Sequence, residues 1–266
     1  MAKKTFNRGI SSFSSEDIAN NFKIIIAPKG DEQHDMIKAI YENDIVFIDG
    51  PAGSGKTYMT MFVALQELAK GKYERIMVTR PVVEAAGERL GHLPGDIREK
   101  INPYMIPIFE TLRQMLPDEF VIKLVSRNGK EAPIMILPLA FMRGCSFRNT
   151  FIFCDEAQNT SPEQMRLLLT RIGEGSKIVV CGDMKQSDMT SMRRDHLNGL
   201  SHAFEILQGV EGVGFTTLTS TSIVRHPIIA RIEERYDGKV QVEIQPITYE
   251  DAIAVQPKKH TKKHKE

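Results

Sequence analysis

A chain of 266 residues with 41% hydrophobic content can bury one large α/β core with small additions, and is short for two full domains. Its formal charge is +1, yet residues 258–266 hold five lysines and one glutamate, leaving −3 on the rest and excluding a uniformly basic nucleic-acid-coating body. There is no apolar run of the ~18 residues a membrane span needs, and "MAKKTFNRG" is not followed by a signal-peptide core, so a soluble, cytoplasmic protein without a membrane partner is expected.

In chain order, residues 1–22 form an N-terminal extension, and the stretch "KGDEQHDMIKAI" then predicts a helix with Gln33 in its first turn. A glutamine amide can read both the N6 donor and the N7 acceptor of adenine, so Gln33 is a candidate selector of ATP over GTP. The apolar run 44–50, "DIVFIDG", predicts a strand, and "GPAGSGKT" follows it and opens a helix from Lys56 to Lys70. Strand, glycine-rich turn and helix give G-x-x-x-x-G-K-[ST] its mechanical context, with backbone N–H groups around a phosphate and the helix N-terminus behind them. The nucleotide-binding candidates are Gly50, Pro51, Ala52, Gly53, Ser54, Gly55, Lys56, Thr57 and Tyr58. Lys56 would pair with the β- and γ-phosphates, and the Thr57 hydroxyl would ligate Mg2+.

A second strand is expected at 75–81, "RIMVTRP", ending in Arg80, which can pair with a nearby carboxylate or bind a nucleic-acid phosphate. From about 84 to 120 the rhythm breaks into a proline-punctuated helical insertion too long for an ordinary loop. Within it, "EAAGERLGHLPG" fits a nucleotide-responsive loop or a surface turn. Further strands are expected at 132–139, 150–156, 177–183 and 214–220. These runs are nearly continuous rather than alternating, as in strands of a parallel sheet buried on both faces. Cys145, Cys154 and Cys181 lack metal or disulfide spacing and read as small core residues in a reducing compartment.

The run "FIFCDEAQ" delivers Asp155 and Glu156 at a strand end. Asp155 suits a Mg2+ shell, and Glu156 can orient or deprotonate a water in line with the γ-phosphate, a group that hydrolytic P-loop proteins need. Next comes "SPEQMRLLLTRI", a helix with Ser161 as N-cap, Pro162 in the first turn and Gln164 closing a capping box. In "VVCGDMKQSD", Asp183 and Gln186 would project at the same sheet edge, with Gln186 as a γ-phosphate sensor; a plain structural turn is the competing reading. "SIVRHP" sets Arg225 before an amphipathic helix pattern, either as a surface residue at that junction or as a functional cation. The alternating "KVQVEIQP" (239–246) predicts an edge or hairpin strand, and residues 251–266 a basic tail. No Cys/His constellation at zinc spacing exists.

Together, "GPAGSGKTYMT", "TRPVVEAAGERLGHLPGDIREKINPY", "PLAFMRG", "FIFCDEAQNTSPEQMRLLLTRIGEGSKIVVCGD" and "VRHP" resemble the PhoH family of P-loop ATPases, over about residues 30–237. The resemblance implies one RecA-like α/β domain, here 23–250, with a mainly parallel sheet and helices on both faces. It implies Mg2+-dependent ATP hydrolysis, a homo-hexameric ring and association with RNA or single-stranded DNA. Its members occur in bacteria and on phage genomes, and its name reflects a link with phosphate starvation. By position it assigns Lys56, Glu156, Gln186 and Arg225 to catalysis, and Thr57 and Asp155 to the metal. One departure is Lys185, where the family's Gly-Asp-x-Thr-Gln has threonine, so altered regulation with retained hydrolysis is expected. Because helicases of superfamily 1 take an arginine from a second domain, a one-domain chain would draw Arg225 from a neighbouring subunit. Family members that also carry a nuclease-like or RNA-binding module need extra sequence, and no such module is expected within these 266 residues. A nucleotide-dependent regulatory protein with slow turnover is the alternative function, and a small-molecule kinase a distant third.

Overall fold

The computed structural model describes residues 15–21, 28–81, 97–125, 132–186 and 198–219, with positions 228, 232 and 235. The expected strand at 239–246, the segment 82–96, Arg225 and the tail lie outside the described residues. Chain contacts divide the molecule into residues 1–224 and 225–266; in the second unit Ile228, Ile232 and Arg235 are helical, at the spacing of one helix face.

In the first unit the elements are α1 (Ser15–Asn20), α2 (Asp31–Glu42), β1 (Ile45–Asp49), α3 (Lys56–Ala69) and β2 (Arg75–Thr79), then α4 (Ile97–Met115), α5 (Asp118–Val125) and β3 (Ile134–Ile136). After these come β4 (Thr150–Cys154), α6 (Pro162–Leu169), β5 (Lys177–Gly182), α7 (Gly199–Ile206) and β6 (Val213–Thr217), with single 3-10 turns at Leu139–Met142 and Ala157–Asn159. The six strands pair in parallel in the order β3-β2-β4-β5-β1-β6. Every strand expected from an apolar run is therefore present, within a few residues of its expected ends.

The near-continuous apolar runs have a simple physical origin. Successive side chains of a strand point to opposite faces, and both faces here are covered. Val46, Ile48, Ile76, Val78, Phe151, Phe153, Val179 and Cys181 enter one core with α1 to α5. Phe47, Met77, Ile152, Cys154, Ile178 and Val180 enter the other with α6, α7 and the 139–142 turn. Burial pushes the Cys154 thiol above its usual range and that of Cys181 up to about 12, so both behave as inert apolar groups.

Helices α4 and α5 occupy much of the segment expected as an insertion. Ile108, Leu112, Met115, Leu116, Phe120, Val121 and Leu124 are buried in the first core. The segment thus contains the helical crossover that two adjacent parallel strands, β2 and β3, require. At α6 the expected capping box is formed: Gln164 N–H donates to Ser161 Oγ at 3.2 Å, and Ser161 N–H to Gln164 Oε1 at 2.9 Å.

Register then positions the chemistry. Asp49 pairs with Gly182, Val180 with Cys154 and Cys154 with Thr79, so β1, β5, β4 and β2 end together along one edge. Parallel strands deliver whatever follows each of them to that same edge. The glycine-rich loop follows β1, Asp183 follows β5, the Asp155–Glu156 pair follows β4 and Arg80 follows β2. One strand, β5, separates the strand of the loop from the strand of the carboxylates.

Candidate functional site

The loop from Gly50 to Gly55 is held by its own polar groups. Ser54 Oγ and Ser54 N–H both donate to Pro51 O, at 2.8 and 3.2 Å, and Gly50 N–H donates to Gly182 O at 3.1 Å. Gly53 and Gly55 take φ of 82° and 91°, in the left-handed region open to glycine at little cost. Gly50 is required by proximity: a Cβ there would lie 2.9 Å from both Leu218 Cβ and Leu218 O. Pro51 and Ala52 are half-buried and Gly53 is exposed, while Tyr58 packs partly against the first core.

Lys56 is 9% exposed, and its ammonium donates to Gly50 O at 2.5 Å and Pro51 O at 2.9 Å. It therefore sits across the loop whose N–H groups would receive a phosphate. Thr57 Oγ1 donates to Asp155 Oδ1 at 2.9 Å, joining residues 98 positions apart in sequence. A hydroxyl and a carboxylate at this separation are the hard oxygen donors that Mg2+ takes, with water and phosphate oxygens completing its shell. Among the described residues there is no group of three or more His, Cys, Asp or Glu side chains that could hold a metal ion.

Asp155 is 4% exposed, and burial raises its carboxyl above the ordinary carboxylate value, opposed by the Arg80 guanidinium. Glu156 adopts φ 54° and ψ 39°, an uncommon conformation for a non-glycine residue, which turns its side chain out of the strand line. Both of its oxygens are engaged: Arg80 Nη2 donates to Oε1 at 3.0 Å, and Gln158 Nε2 to Oε2 at 2.6 Å. The other end of the Gln158 amide accepts from Asp183 N–H at 3.1 Å, so a buried glutamine ties the carboxylate to the end of β5.

Arg80 pairs with carboxylates, resolving the choice that residue type leaves open. Besides Glu156, its Nε lies 3.5 Å from Asp155 Oδ2. Gln33 lies in the first turn of α2, beside the loop. It is 4% exposed, accepts from Lys29 N–H at 2.8 Å and donates to Ser54 O at 3.0 Å. The amide nitrogen thereby ties α2 to the loop at Ser54, and the amide oxygen is tied to the chain just before α2.

In the turn after β5, Asp183 Oδ1 accepts from Lys185 N–H at 3.0 Å and Asp49 Oδ1 from Met184 N–H at 2.8 Å. The turn is thus built by two aspartates, and Gln186 is exposed just beyond it, its N–H bonded to Asp183 O at 3.1 Å. Gln158 and Asp49 were missed as site-building residues in the sequence. For Gln158 the available signal was an amide two positions after the carboxylate pair; Asp49, the last residue of β1, offers no such pattern. Among the described residues no helix is long and apolar enough to cross a membrane.

The chain is 41% identical over 238 residues to a PhoH-like protein of Bacillus subtilis (strain 168), covering 89% of this chain and 72% of that one. It is 43% identical over 213 residues to a PhoH-like protein of Synechocystis, and 37% identical over 212 residues to Protein PhoH of Escherichia coli (strain K12). It spans 62% and 58% of the length of those two relatives. The structure is also similar to the Pif1 helicase from Candida albicans, at a TM-score of 0.41 and 16% identity, over 81% of this chain and 44% of that one. The PhoH-like protein family matches residues 25–237, the span holding the phosphate loop, the carboxylate pair and the turn after β5, and the chain belongs to that family.

Proposed function

We propose that the protein is a Mg2+-dependent ATPase that works as a homo-hexameric ring on single-stranded RNA or DNA. The observation that supports the ATPase part of this reading is the contact of Thr57 with Asp155 at 2.9 Å, with Glu156 next in the chain; the ring and the nucleic acid rest on the family resemblance. That contact brings the end of the phosphate loop, two oxygen donors for a metal and a candidate general base into one small volume. The loop N–H groups would bind the β-phosphate, and Lys56 would turn from Gly50 O and Pro51 O to the β- and γ-phosphates. Thr57 and Asp155 would hold Mg2+, which when bound supplies charge neutralisation across the phosphates. Glu156 would orient the attacking water and take its proton. Gln186, exposed beyond the turn after β5, would report the γ-phosphate.

Arg225 would stabilise transition-state charge on the ATP of a neighbouring subunit, as its permanent charge and fork of donors suit it to do. Arg225→Ala and Lys56→Ala subunits, each inactive alone, should regain turnover when co-assembled; no recovery would discard the assignment in trans. The hydrolytic reading is tested by Glu156→Gln, which should keep ATP binding while lowering kcat by about 100-fold or more. Stimulation of turnover by single-stranded RNA or DNA tests the nucleic-acid assignment. A second reading, a regulator with slow turnover, draws support from the engagement of both Glu156 oxygens. Low basal turnover unmoved by either nucleic acid, in an assembled oligomer at low salt, would favour it.

A further inference from the structure

We propose that Arg80 is a positioning residue that serves as the site's own counter-cation: it holds Asp155 and Glu156 together, then yields Asp155 while keeping Glu156 when a divalent cation binds. The kinetic part of this inference rests on the hydrolytic reading above; the metal-binding part does not.

Two adjacent carboxylates, one of them 4% exposed, make a costly arrangement unless a cation stands beside them. Arg80 is placed for that task by its backbone. It follows the last residue of β2, and Asp155 N–H donates to Thr79 O at 3.0 Å, which laces the ends of β2 and β4 side by side. Its own carbonyl accepts from Leu139 N–H at 3.3 Å, and Pro81 restricts the backbone of Arg80, the residue before it. The side chain is 14% exposed and directed at the pair, which argues against a nucleic-acid phosphate as its partner.

The two contacts are unequal. Nη2 to Glu156 Oε1, at 3.0 Å, is a charge-assisted hydrogen bond. Nε to Asp155 Oδ2, at 3.5 Å, is an ion pair too long for a good hydrogen bond. Asp155 already takes the Thr57 hydroxyl at 2.9 Å on its other oxygen. A divalent cation at Thr57 and Asp155 can therefore replace the weaker Arg80 contact. The stronger one would continue to hold Glu156 from one side, with Gln158 Nε2 on the other. Glu156 would then enter the reactive state already oriented, with less ordering left to do.

Charge and fork geometry are separable by substitution, because lysine keeps the first and loses the second. The probe is Mn2+ alone, titrated into the full chain without nucleotide and followed by electron paramagnetic resonance. Removing a positive charge this close to the metal should tighten Mn2+ binding about tenfold or more in Arg80→Gln. Arg80→Lys should stay within about twofold of wild type for Mn2+, and should lower kcat about tenfold with KM for ATP unchanged and no rescue by excess Mg2+. Thermal melts of both variants report whether the fold is retained, and Arg80→Lys alone suffices for the kinetic half should Arg80→Gln unfold. Wild-type Mn2+ affinity in folded Arg80→Gln, or wild-type kcat in Arg80→Lys, would overturn the proposal. A wild-type chain that binds Mn2+ as described and hydrolyses no ATP would instead discard the hydrolytic reading and leave the counter-cation standing.

Discussion

Thr79 ends β2 fully buried, and its Oγ1 is a side-chain atom without a hydrogen-bond partner among the described residues. Burying a hydroxyl with nothing to bond costs stability, and valine has nearly its shape with a methyl in that place. Thr79→Val should therefore raise stability by about 1 kcal/mol in denaturant titrations. A decrease would show that the hydroxyl has a partner in solution. Lys177 poses the charged version of the problem at the start of β5. It is 5% exposed, its ammonium donates to Asn43 O, and burial pushes its pKa down to about 8. A lysine whose folded pKa lies below its unfolded value of ~10.4 loses stability through its charged form. That loss is complete below about pH 8 and fades as the pH rises toward the unfolded value. Lys177→Met should thus stabilise the fold at pH 7, with the lost bond to Asn43 offsetting part of the gain. Its advantage over wild type should shrink between pH 8 and pH 10.5 in parallel denaturant melts. Neither residue stands out in the sequence, because each is an ordinary strand-end residue until its neighbours are known.

Gly182, the last residue of β5, is fixed by the elements packed around it. A Cβ there would lie 2.6 Å from Leu200 Cδ2 on α7, 2.7 Å from Gln158 Oε1 and 3.0 Å from Gln158 N. Gly182→Ala should cost about 1–3 kcal/mol by overpacking. It should also displace Gln158 from Glu156, so if the proposed hydrolysis is correct, kcat should fall more than ATP affinity; equal loss of both would assign the glycine to stability alone. At the N-terminal side, α2 and the phosphate loop meet through Gln33. If Gln33 is a brace, Gln33→Ala should weaken ATP and GTP alike; a selective loss of ATP preference would return it to the role of base reader. Gly55 fits the same contact, since a Cβ there would lie 3.0 Å from Gln33 Nε2. At this scale the sequence was most legible in α3, α6 and the strands. The apolar runs, the Gly-Lys-Thr turn and the Ser-Pro-x-Gln cap each act through neighbours within a few residues. The role of 97–125 as core crossover helices was less legible, because prolines and charges interrupt its pattern while the buried face is chosen by β2 and β3 across the fold.

For the molecule as a whole, the parallel strand order gathers the residues after β1, β5, β4 and β2 at one edge. That convergence could be expected from Lys56, Thr57, Asp155 and Glu156, whose spacing after apolar runs has few other physical uses. If the proposed ring is correct, light scattering after size exclusion should show a mass near six chains in the presence of ATP and Mg2+, and a monomer under all conditions would remove the basis for Arg225 acting in trans. The sequence by itself determined the family, the parallel α/β architecture and the phosphate loop with its carboxylate pair, since these depend on local periodicity and on side chains close together in the chain. Only the tertiary structure decided that Arg80 faces Asp155 and Glu156, that Gln158 joins Glu156 to the end of β5 and that the Gln33 amide bonds to Ser54 O. Those are contacts between residues brought together by sheet register, and a one-dimensional pattern contains the side chains without the distances between them.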